Sequence, residues 1–324
     1  MNKKILITGS GGFLGRELSI SLAEKGNFIF ALDNNYRGNL KSIKKHKNIK
    51  NIKADVTNIT QLRKHFLKYD VIYHLAAING TENFYNHPDK VLEVGIIGTY
   101  NVIKLAKLFG VKKIVFASSS EVYNEPNLIP TPEEIDIKIP DIQNPRFSYS
   151  GSKIAGELMM INMLRFSKID YLIFRPHNII GPNMGFEHVI PQLTKKIFLN
   201  LNKKNKNVKI KVLGNGNETR SFMYINDFIN ALIKCTSTNM KYPIINIGNN
   251  SEITINQLIE IISKVLDLNI LPSYSKKLTG SPDRRCPSVK KLKTIKFKSK
   301  YKLDVSIALT VKWYWNYYSK HIFQ

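Results

Sequence analysis

A short apolar run at residues 3–8 ends in a glycine-rich turn, and the turn opens directly into a helical pattern. The turn reads Gly9-Ser-Gly-Gly-Phe-Leu-Gly15, so its glycines follow the spacing G-x-x-G-x-x-G. Glycine at the junction of a strand and a helix lets the backbone approach a phosphate group, whose charge is stabilised at the helix N-terminus. A glycine-rich turn can also be purely structural, so this interpretation depends on the residues that follow.

Apolar runs and helical patterns alternate along the first half of the chain. The predicted strands lie at residues 3–8, 28–33, 49–56, 71–77, 113–120 and 171–175. The predicted helices lie near residues 13–23, 58–68, 88–109 and 148–167. Apolar strands separated by amphipathic helices are typical of a parallel sheet that is covered on both faces. We therefore predict an α/β fold with a doubly wound (Rossmann) parallel sheet, because crossovers between parallel strands are right-handed.

The pattern becomes less regular after about residue 178. Short strands are predicted near 209–213 and 221–225, and helices near 189–200, 226–237, 254–266 and 306–319. We interpret this part as a smaller C-terminal α/β domain that binds the substrate and covers the carboxyl ends of the strands. The predicted domains are residues 1–178 and residues 179–324, although segments of the two can interleave.

Composition limits the class of protein. Of the 324 residues, 43% are hydrophobic, which argues against disorder, and no apolar run approaches the ~18 residues that span a bilayer. Only Cys235 and Cys286 occur, which excludes a disulfide framework and a cysteine-based zinc site. The net charge of +25 comes from lysines scattered among asparagines, which favours a solvated surface. Attraction of an anionic small substrate and binding of nucleic acid stay open.

An acidic residue ends the second predicted strand. Asp33 follows the glycine-rich turn by roughly 20 residues, where a carboxylate can accept both ribose hydroxyls of a dinucleotide. A carboxylate also repels a 2′-phosphate, so the sequence favours NAD, while Arg37 keeps NADP open. Asp55 and Val56 end the third strand, where they can contact the adenine or form the N-cap of a helix before Asn58.

A tyrosine and a lysine four residues apart predict acid–base chemistry. Tyr149 and Lys153 fall on one face of a predicted helix, where an ammonium group lowers the pKa of a nearby phenol. Residues 118–120 are three serines at the end of the preceding strand, at the edge where parallel sheets bind ligands. A serine there can form a hydrogen bond with the sugar oxygen that loses its proton.

At this point the chain resembles the extended short-chain dehydrogenase/reductase family, and within it the NAD-dependent nucleotide-sugar epimerases and dehydratases. The resemblance extends over essentially the whole chain. It rests on TGSGGFLG (8–15), Asp33, Asp55-Val56, HLAA (74–77), FASSSEVY (116–123), the Tyr149/Lys153 pair, RPHNIIGP (175–182), GNGNETRSFMYINDF (214–228) and PDRRCPS (282–288).

The resemblance implies roles for individual residues. Tyr149 is then the catalytic base, Lys153 its partner and a ligand of the NAD ribose, and Ser119 the third catalytic residue. The implied cofactor contacts are Gly9, Gly12, Phe13, Leu14, Gly15, Asp33, Asp55, Val56, Leu75, Ala76, Ala77, Tyr149 and Lys153. The implied contacts with a nucleotide-diphosphate sugar are Ser119, Asn178, Arg220 and Arg285. We expect a cytoplasmic homodimer with no nucleic-acid partner, no membrane span and no metal, since His177 and His188 lack partners at metal-site spacing.

Two positions depart from the family pattern. The family often has asparagine where this chain has Gly95, so the hydrogen bonds of that side chain must be replaced or absent. The family commonly has glycine where this chain has Asn124. Asparagine tolerates a positive φ better than most residues, so we expect the turn at this position to survive.

The motifs leave the exact reaction open. Members of the family begin by oxidising C4 of the sugar, and an epimerase then returns the hydride to the other face. We favour an epimerase. Glu121 and the Pro145-Arg146 pair instead resemble GDP-mannose dehydratases and UDP-glucuronate decarboxylases, so a 4,6-dehydratase or a decarboxylase is the alternative, with Glu121 as a further catalytic residue. Outside this class, a catalytically silent NAD-binding protein and a nucleic-acid binder also stay open.

Overall fold

The computed structural model describes residues 2–201, 206–238, 243–276 and 283–322. The backbone forms two compact units, each built from more than one segment of the chain. The first unit contains Met1–Asn124, Glu133–Pro176 and Ile229–Ile247. The second unit contains Glu125–Pro132, His177–Phe228 and Gly248–Gln324. Two segments, 125–132 and 229–247, thus lie on the other side of the predicted division at residue 178.

A parallel sheet forms the centre of the first unit, as the sequence predicts, but it has seven strands rather than the six predicted. Its strands are β1 (Lys4–Thr8), β2 (Phe28–Asp33), β3 (Ile49–Lys53), β4 (Val71–His74), β5 (Lys113–Ala117), β6 (Asp170–Pro176) and β11 (Ile244–Ile247). The strand order is β11-β6-β5-β4-β1-β2-β3, and every neighbouring pair is parallel. The order reverses between β1 and β4, and such a switch point opens a crevice at the carboxyl ends of the strands.

Helices cover this sheet because its strands are apolar on both faces. They are α1 (Phe13–Glu24), α2 (Ile59–Arg63), α3 (Thr81–Asn86), α4 (Pro88–Leu92), α5 (Thr99–Phe109) and α6 (Ser148–Leu164). Leu6, Ile72, Ile114 and Ile173 from four strands are fully buried in one cluster with Val102 of α5. Burying a side chain of this size contributes about 1.5–3 kcal/mol, so the sheet and its helices stabilise each other.

The second unit contains smaller sheets and the remaining helices. Its strands are β7 (Ile179–Ile180), β8 (Asn207–Leu213), β9 (Thr219–Ser221), β10 (Met223–Tyr224), β12 (Glu252–Thr254), β13 (Asn269–Ser275) and β14 (Arg284–Arg285). Its helices are α7 (Val189–Leu199), α9 (Ile255–Leu266), α10 (Lys290–Thr294) and α11 (Leu303–His321), while α8 (Ile225–Ser237) runs from the second unit into the first. None of the helices within the described ranges is both long and apolar enough to cross a membrane.

Several predicted boundaries are wrong. The third, fourth and fifth strands end at Lys53, His74 and Ala117, three residues before the predicted ends, because the chain turns away at the carboxyl edge of the sheet. The predicted helix 58–68 is helical only over Ile59–Arg63, and the predicted strand 221–225 is two strands, β9 and β10, with different partners.

The predicted single helix 88–109 is interrupted. Between α4 and α5 the chain forms one wide π-helical turn, Glu93–Gly98. A Cβ at Gly98 would lie 2.7 Å from Cγ2 of Val56, so the absence of a side chain lets the turn pack against the segment that follows β3. Such wide turns are frequent at functional sites, and this one lies against α6 at Ser152.

Candidate active site

The glycine-rich turn packs so tightly that a Cβ at Gly9, Gly11 or Gly15 would lie within 3 Å of backbone atoms. Gly9 has φ of +72°, and a Cβ there would lie 2.7 Å from the backbone N of Ala76. A Cβ at Gly15 would lie 2.3 Å from the carbonyl oxygen of Gly9. The motif therefore packs the turn against Leu75 and Ala76, which follow β4, and packs the start of α1 against the turn.

Gly12, the middle glycine of the G-x-x-G-x-x-G spacing, has a different role. Gly12 is the N-cap of α1, in extended conformation, and no side chain caps the helix there. A Cβ at Gly12 would meet only the Gly9 oxygen, at 3.3 Å. The N–H groups of the first turn, which begins at Phe13 and Leu14, have no intrahelical acceptors, so this helix end suits the phosphates of a dinucleotide.

Asp33 lies at the end of β2 beside this turn, as predicted. One carboxylate oxygen accepts a hydrogen bond from the backbone N of Gly11 at 3.0 Å, and the other accepts from that of Asn35 at 2.7 Å. Burial raises the pKa of Asp33 above its usual value, while these two hydrogen bonds oppose the rise. A carboxylate offers about four acceptor positions, so Asp33 can still accept ribose hydroxyls.

Asp55 and Val56 follow β3 near the same edge. Asp55 accepts hydrogen bonds from the Asn34 side chain at 2.8 Å and from the backbone and side chain of Thr57, both at 2.8 Å. Burial would raise the pKa of Asp55, but these hydrogen bonds lower it. The N-cap of α2 is Asn58, whose side chain accepts from the backbone N of Gln61, so the capping alternative for Asp55 is wrong.

The buried side chain of His74, on β4, connects Thr8 at the end of β1 to Thr99 at the start of α5. The hydroxyl of Thr99 donates to the Gly95 carbonyl at 2.6 Å, so it accepts from Nε2 of His74, at 3.1 Å. Nδ1 of His74 then accepts from the Thr8 hydroxyl at 2.7 Å, and that hydroxyl accepts from the backbone N of Ala76 at 3.3 Å. This series of hydrogen bonds fixes His74 as the neutral Nε2–H tautomer.

The three predicted catalytic side chains come together at the ends of β5 and α6. The Ser119 side chain lies close enough to the Tyr149 phenol to lower the pKa of that phenol. The Lys153 ammonium group lies 5.6 Å from the centroid of the Tyr149 ring and donates to the Ala117 carbonyl oxygen at 2.8 Å. The Tyr149 ring stacks on Phe84 at a centroid distance of 5.1 Å, which fixes its orientation.

The predicted lowering of the tyrosine pKa is not what the chain's own groups produce. Burial raises the pKa of Tyr149 to about 12, although the nearby Ser119 side chain opposes the rise. Burial also lowers the pKa of Lys153 to about 7, while the Glu157 carboxylate opposes this change. The charge of Lys153 alone would lower the pKa of Tyr149, but for two buried groups desolvation outweighs this interaction.

Two charged residues outside the serine–tyrosine–lysine set also act on Tyr149. The Glu121 carboxylate raises the pKa of Tyr149, and the Arg37 guanidinium lowers it. Glu121 lies two residues after Ser119, and its backbone N donates to the Ser119 hydroxyl at 3.1 Å. Both charges thus act on the Tyr149 phenol, and the sequence did not suggest the effect of Arg37.

The remaining predicted contacts lie in the second unit. The side chain of Asn178 donates to the Ser221 carbonyl oxygen at 3.0 Å, and Asn178 adopts φ of +42° before β7. Arg220 and Arg285 are register partners on the parallel strands β9 and β14. NH1 of Arg220 donates to the carbonyl oxygen of Thr219 at 2.7 Å. Two cations side by side on neighbouring strands repel each other, so this pair suits an anionic ligand.

The two departures from the family pattern have structural answers. Asn124 adopts φ of +49°, which confirms that asparagine can replace glycine in this turn. At Gly95 the space for a side chain is already filled, because a Cβ there would lie 2.5 Å from both Cβ and Oγ of Ser152. Among the described residues, no group of three or more His, Cys, Asp or Glu side chains is arranged to hold a metal ion.

Sequence reasoning missed a buried ion pair behind the catalytic residues. Glu157 of α6 and Arg175 of β6 are each 3% exposed and contact each other through two hydrogen bonds, of 2.8 and 2.6 Å. A signal was present, because Glu157 follows Tyr149 and Lys153 at the same four-residue spacing on α6. His74 is the second missed residue, although its motif was noted.

Comparison with known proteins agrees with this geometry. Residues 5–248 match the family model "NAD dependent epimerase/dehydratase family". A putative UDP-glucose 4-epimerase from Methanocaldococcus jannaschii is 31% identical over 314 residues, which are 95% of this chain and 97% of the relative. UDP-glucuronic acid decarboxylase 1 from Xenopus tropicalis is 30% identical over 298 residues, 90% of this chain and 67% of the relative.

The fold comparison leads to the same family. The structure is similar to that of the UDP-N-acetylglucosamine 4-epimerase from Methanobrevibacter ruminantium, with a TM-score of 0.86, 26% identity and coverage of 98% of this chain and 99% of that one. The predicted resemblance and fold class are thereby confirmed. The glycine cradle, the open N-terminus of α1 and Asp33 fit a dinucleotide without a 2′-phosphate. The chain therefore belongs to the NAD-dependent epimerase/dehydratase family, and it is an enzyme that uses NAD.

Proposed function

We propose that this enzyme is a nucleotide-sugar 4-epimerase that works through a transient 4-keto sugar. The observation that carries the proposal is the grouping of Ser119 with Tyr149 beside the buried Lys153 side chain. With NAD as the hydride acceptor, these three groups suffice to remove and return the proton of the C4 hydroxyl while the C4 hydride leaves and returns. The 31% identical archaeal relative, named as a putative UDP-glucose 4-epimerase, supports the same reaction.

The chain's own residues divide the proton chemistry between them. Ser119 holds the C4 oxygen of the sugar, and Tyr149 takes the proton of that hydroxyl. NAD, bound at the glycine-rich turn, supplies the acceptor for the C4 hydride and a cationic ring. Because burial holds the pKa of Tyr149 near 12, the base needs nearby positive charge to work at neutral pH. Lys153 supplies one such charge and a donor for ribose hydroxyls.

The proposed substrate is a nucleotide-diphosphate sugar. Arg220 and Arg285 offer two guanidinium groups on neighbouring strands, and their planar forks match phosphate oxygens. NH1 of Arg220 also donates to the Asp283 carbonyl oxygen at 3.2 Å, which helps to hold the side chain in place. The net charge of +25 favours the approach of such an anion.

A UDP-glucuronate-type decarboxylase or a 4,6-dehydratase is the second candidate. The observation in its favour is the position of Glu121, whose carboxylate acts on the Tyr149 phenol. In an elimination, a positioned carboxylate can take the C5 proton, whereas a plain 4-epimerisation breaks no C5–H bond. The 30% identical decarboxylase from Xenopus tropicalis supports this candidate.

Product analysis distinguishes these reactions. The enzyme is incubated with NAD and a panel of UDP-, GDP-, dTDP- and CDP-sugars, including uronic acids, and the products are identified by mass and NMR. Inversion at C4 without a change in mass is the expected result. Loss of carbon dioxide or of water assigns the second candidate instead, and no product from any sugar contradicts both.

An isotope experiment then tests the role of Glu121. The reaction is run in heavy water with the unmodified enzyme and with Glu121→Gln, which keeps the size of the side chain. We expect no deuterium at C5 and continued C4 inversion by the variant. Deuterium at C5 that disappears in Glu121→Gln contradicts the epimerase proposal.

A further inference from the structure

A fully buried hydrogen-bond network lies directly behind the catalytic residues. Oε1 of Glu157 accepts from Nε of Arg175 at 2.8 Å and from the Ser118 hydroxyl, and Oε2 accepts from NH2 of Arg175 at 2.6 Å. NH1 of Arg175 donates to the Tyr123 hydroxyl at 2.8 Å and to the Glu133 carbonyl oxygen at 3.1 Å. The network therefore joins α6 to the ends of β5 and β6.

This network lies next to Ser119 after β5 and next to Tyr149 and Lys153 on α6. Ser118 immediately precedes Ser119, so its bond to Glu157 anchors the end of β5. On α6, residues 149, 153 and 157 follow each other at intervals of four, so their side chains stack on one face. Glu157 lies one turn below Lys153 and Tyr149 one turn above it.

A negatively charged side chain is among those that face the buried Lys153 ammonium group. Lys153 is 2% exposed. Its ammonium group faces Tyr149 and Glu157 from α6, the Phe116 ring and the Ala117 carbonyl oxygen from β5, and neutral His74 from β4. Among the side chains just named, only Glu157 carries a negative charge. A buried ammonium group without an anion nearby loses its proton readily.

We propose that Glu157 is a positioning residue that keeps Lys153 charged and holds the end of β5 in place through Ser118. This inference rests on the proposed roles of Lys153 and Tyr149 and names the group that maintains them. Arg175 in turn holds the Glu157 carboxylate through two hydrogen bonds, so one buried anion is shared by two cations. The pKa of Lys153 agrees with this, because Glu157 raises it against the effect of burial.

The test measures the charge of Lys153 directly, without turnover. The protein is labelled with 13C at the lysine Cε positions, and the resonances are followed against pH. One lysine should titrate near neutral pH, and Lys153→Arg should remove that resonance and so assign it. In Glu157→Gln the midpoint should fall by at least about one pH unit, because a unit charge one helical turn away is lost.

Two further variants make the result decisive. Glu157→Gln leaves Arg175 buried without its anion and can fail to fold. The double variant Glu157→Gln/Arg175→Gln removes both charges at similar volume, and its midpoint should still fall, but by less, because loss of the Arg175 charge favours the Lys153 ammonium group. Ser118→Ala is the matched control, because it removes a bond to Glu157 without changing charge, and its midpoint should stay within about 0.3 pH units of the unmodified value. An unchanged midpoint in the folded double variant overturns the proposal.

The same variants separate this inference from the proposed function. With a substrate identified, the upper pH limit of kcat should fall in the double variant together with the lysine midpoint. If the midpoint shifts but no sugar is converted by the unmodified enzyme, the proposed function fails and the role of Glu157 stands. If sugars are converted and the midpoint does not move, the role of Glu157 fails alone.

Discussion

His74 should make the first unit less stable as the pH falls below neutrality. Its ring is buried between the hydroxyls of Thr8 and Thr99, and its Nδ1 can accept from the Thr8 hydroxyl only while the ring is neutral. Burial, with a further contribution from the Lys153 charge, lowers the pKa of His74 from 6.5 to about 3. Between these two values the unfolded chain binds a proton that the folded chain does not, so stability is present above pH 6.5 and is lost as the pH falls.

The size of the effect follows from the two pKa values. The loss of unfolding free energy is close to zero at about pH 7.5 and reaches about 2 kcal/mol at about pH 5, because each pH unit below 6.5 removes about 1.4 kcal/mol. The assay is amide hydrogen exchange of peptides that contain β4, because exchange reports the opening free energy of that strand alone. Unfolding of the whole chain is less suitable, because the chain forms two units.

The variant and its control isolate this one ring. His74→Gln keeps an acceptor and a donor for the two threonines but does not titrate. The unmodified protein should lose about 2 kcal/mol more protection at β4 than the variant between about pH 7.5 and about pH 5. His87→Gln changes an exposed histidine of the same unit and should behave like the unmodified protein. Equal losses in the unmodified protein and in His74→Gln would refute the reasoning.

Three other changes have expected outcomes. Tyr149→Phe keeps the stack on Phe84 and should reduce turnover by about 10²–10⁴ with unchanged circular dichroism; near-normal turnover would exclude a base at this position. Asp33→Ala should narrow the preference for NAD over NADP in a binding titration, and an unchanged ratio would contradict its contact with ribose. Gly95→Ala should cost about 1–3 kcal/mol in chemical unfolding, because its Cβ would lie 2.5 Å from Ser152. Adding Ser152→Gly should recover part of that loss, and purely additive losses would show that the contact is relieved in another way.

The local elements of the fold and of the cofactor site could be predicted from the sequence. The spacing of glycines between an apolar run and a helical pattern predicted the turn at Gly9, and Asp33 was placed at the end of β2 by the length of its strand. The tyrosine–lysine spacing predicted that Tyr149 and Lys153 share a face of α6. Asn124 was expected to tolerate a positive φ. Each of these depends on interactions within a few residues, so the order of side chains along the chain is enough to determine them.

Tertiary structure decided what depends on neighbours that are distant in sequence. The strand β11 comes from the C-terminal half of the chain and completes the sheet beside β6, which no local pattern indicated. Desolvation, which depends on how the whole unit packs, raises the pKa of Tyr149 where a nearby charge alone would lower it. The ion pair of Glu157 with Arg175 joins α6 to β6, and no sequence pattern of either element indicates that these two side chains meet. The sequence therefore predicted which groups carry the chemistry, and the packing of the sheet decided their pKa values, because burial acts only once distant segments have come together.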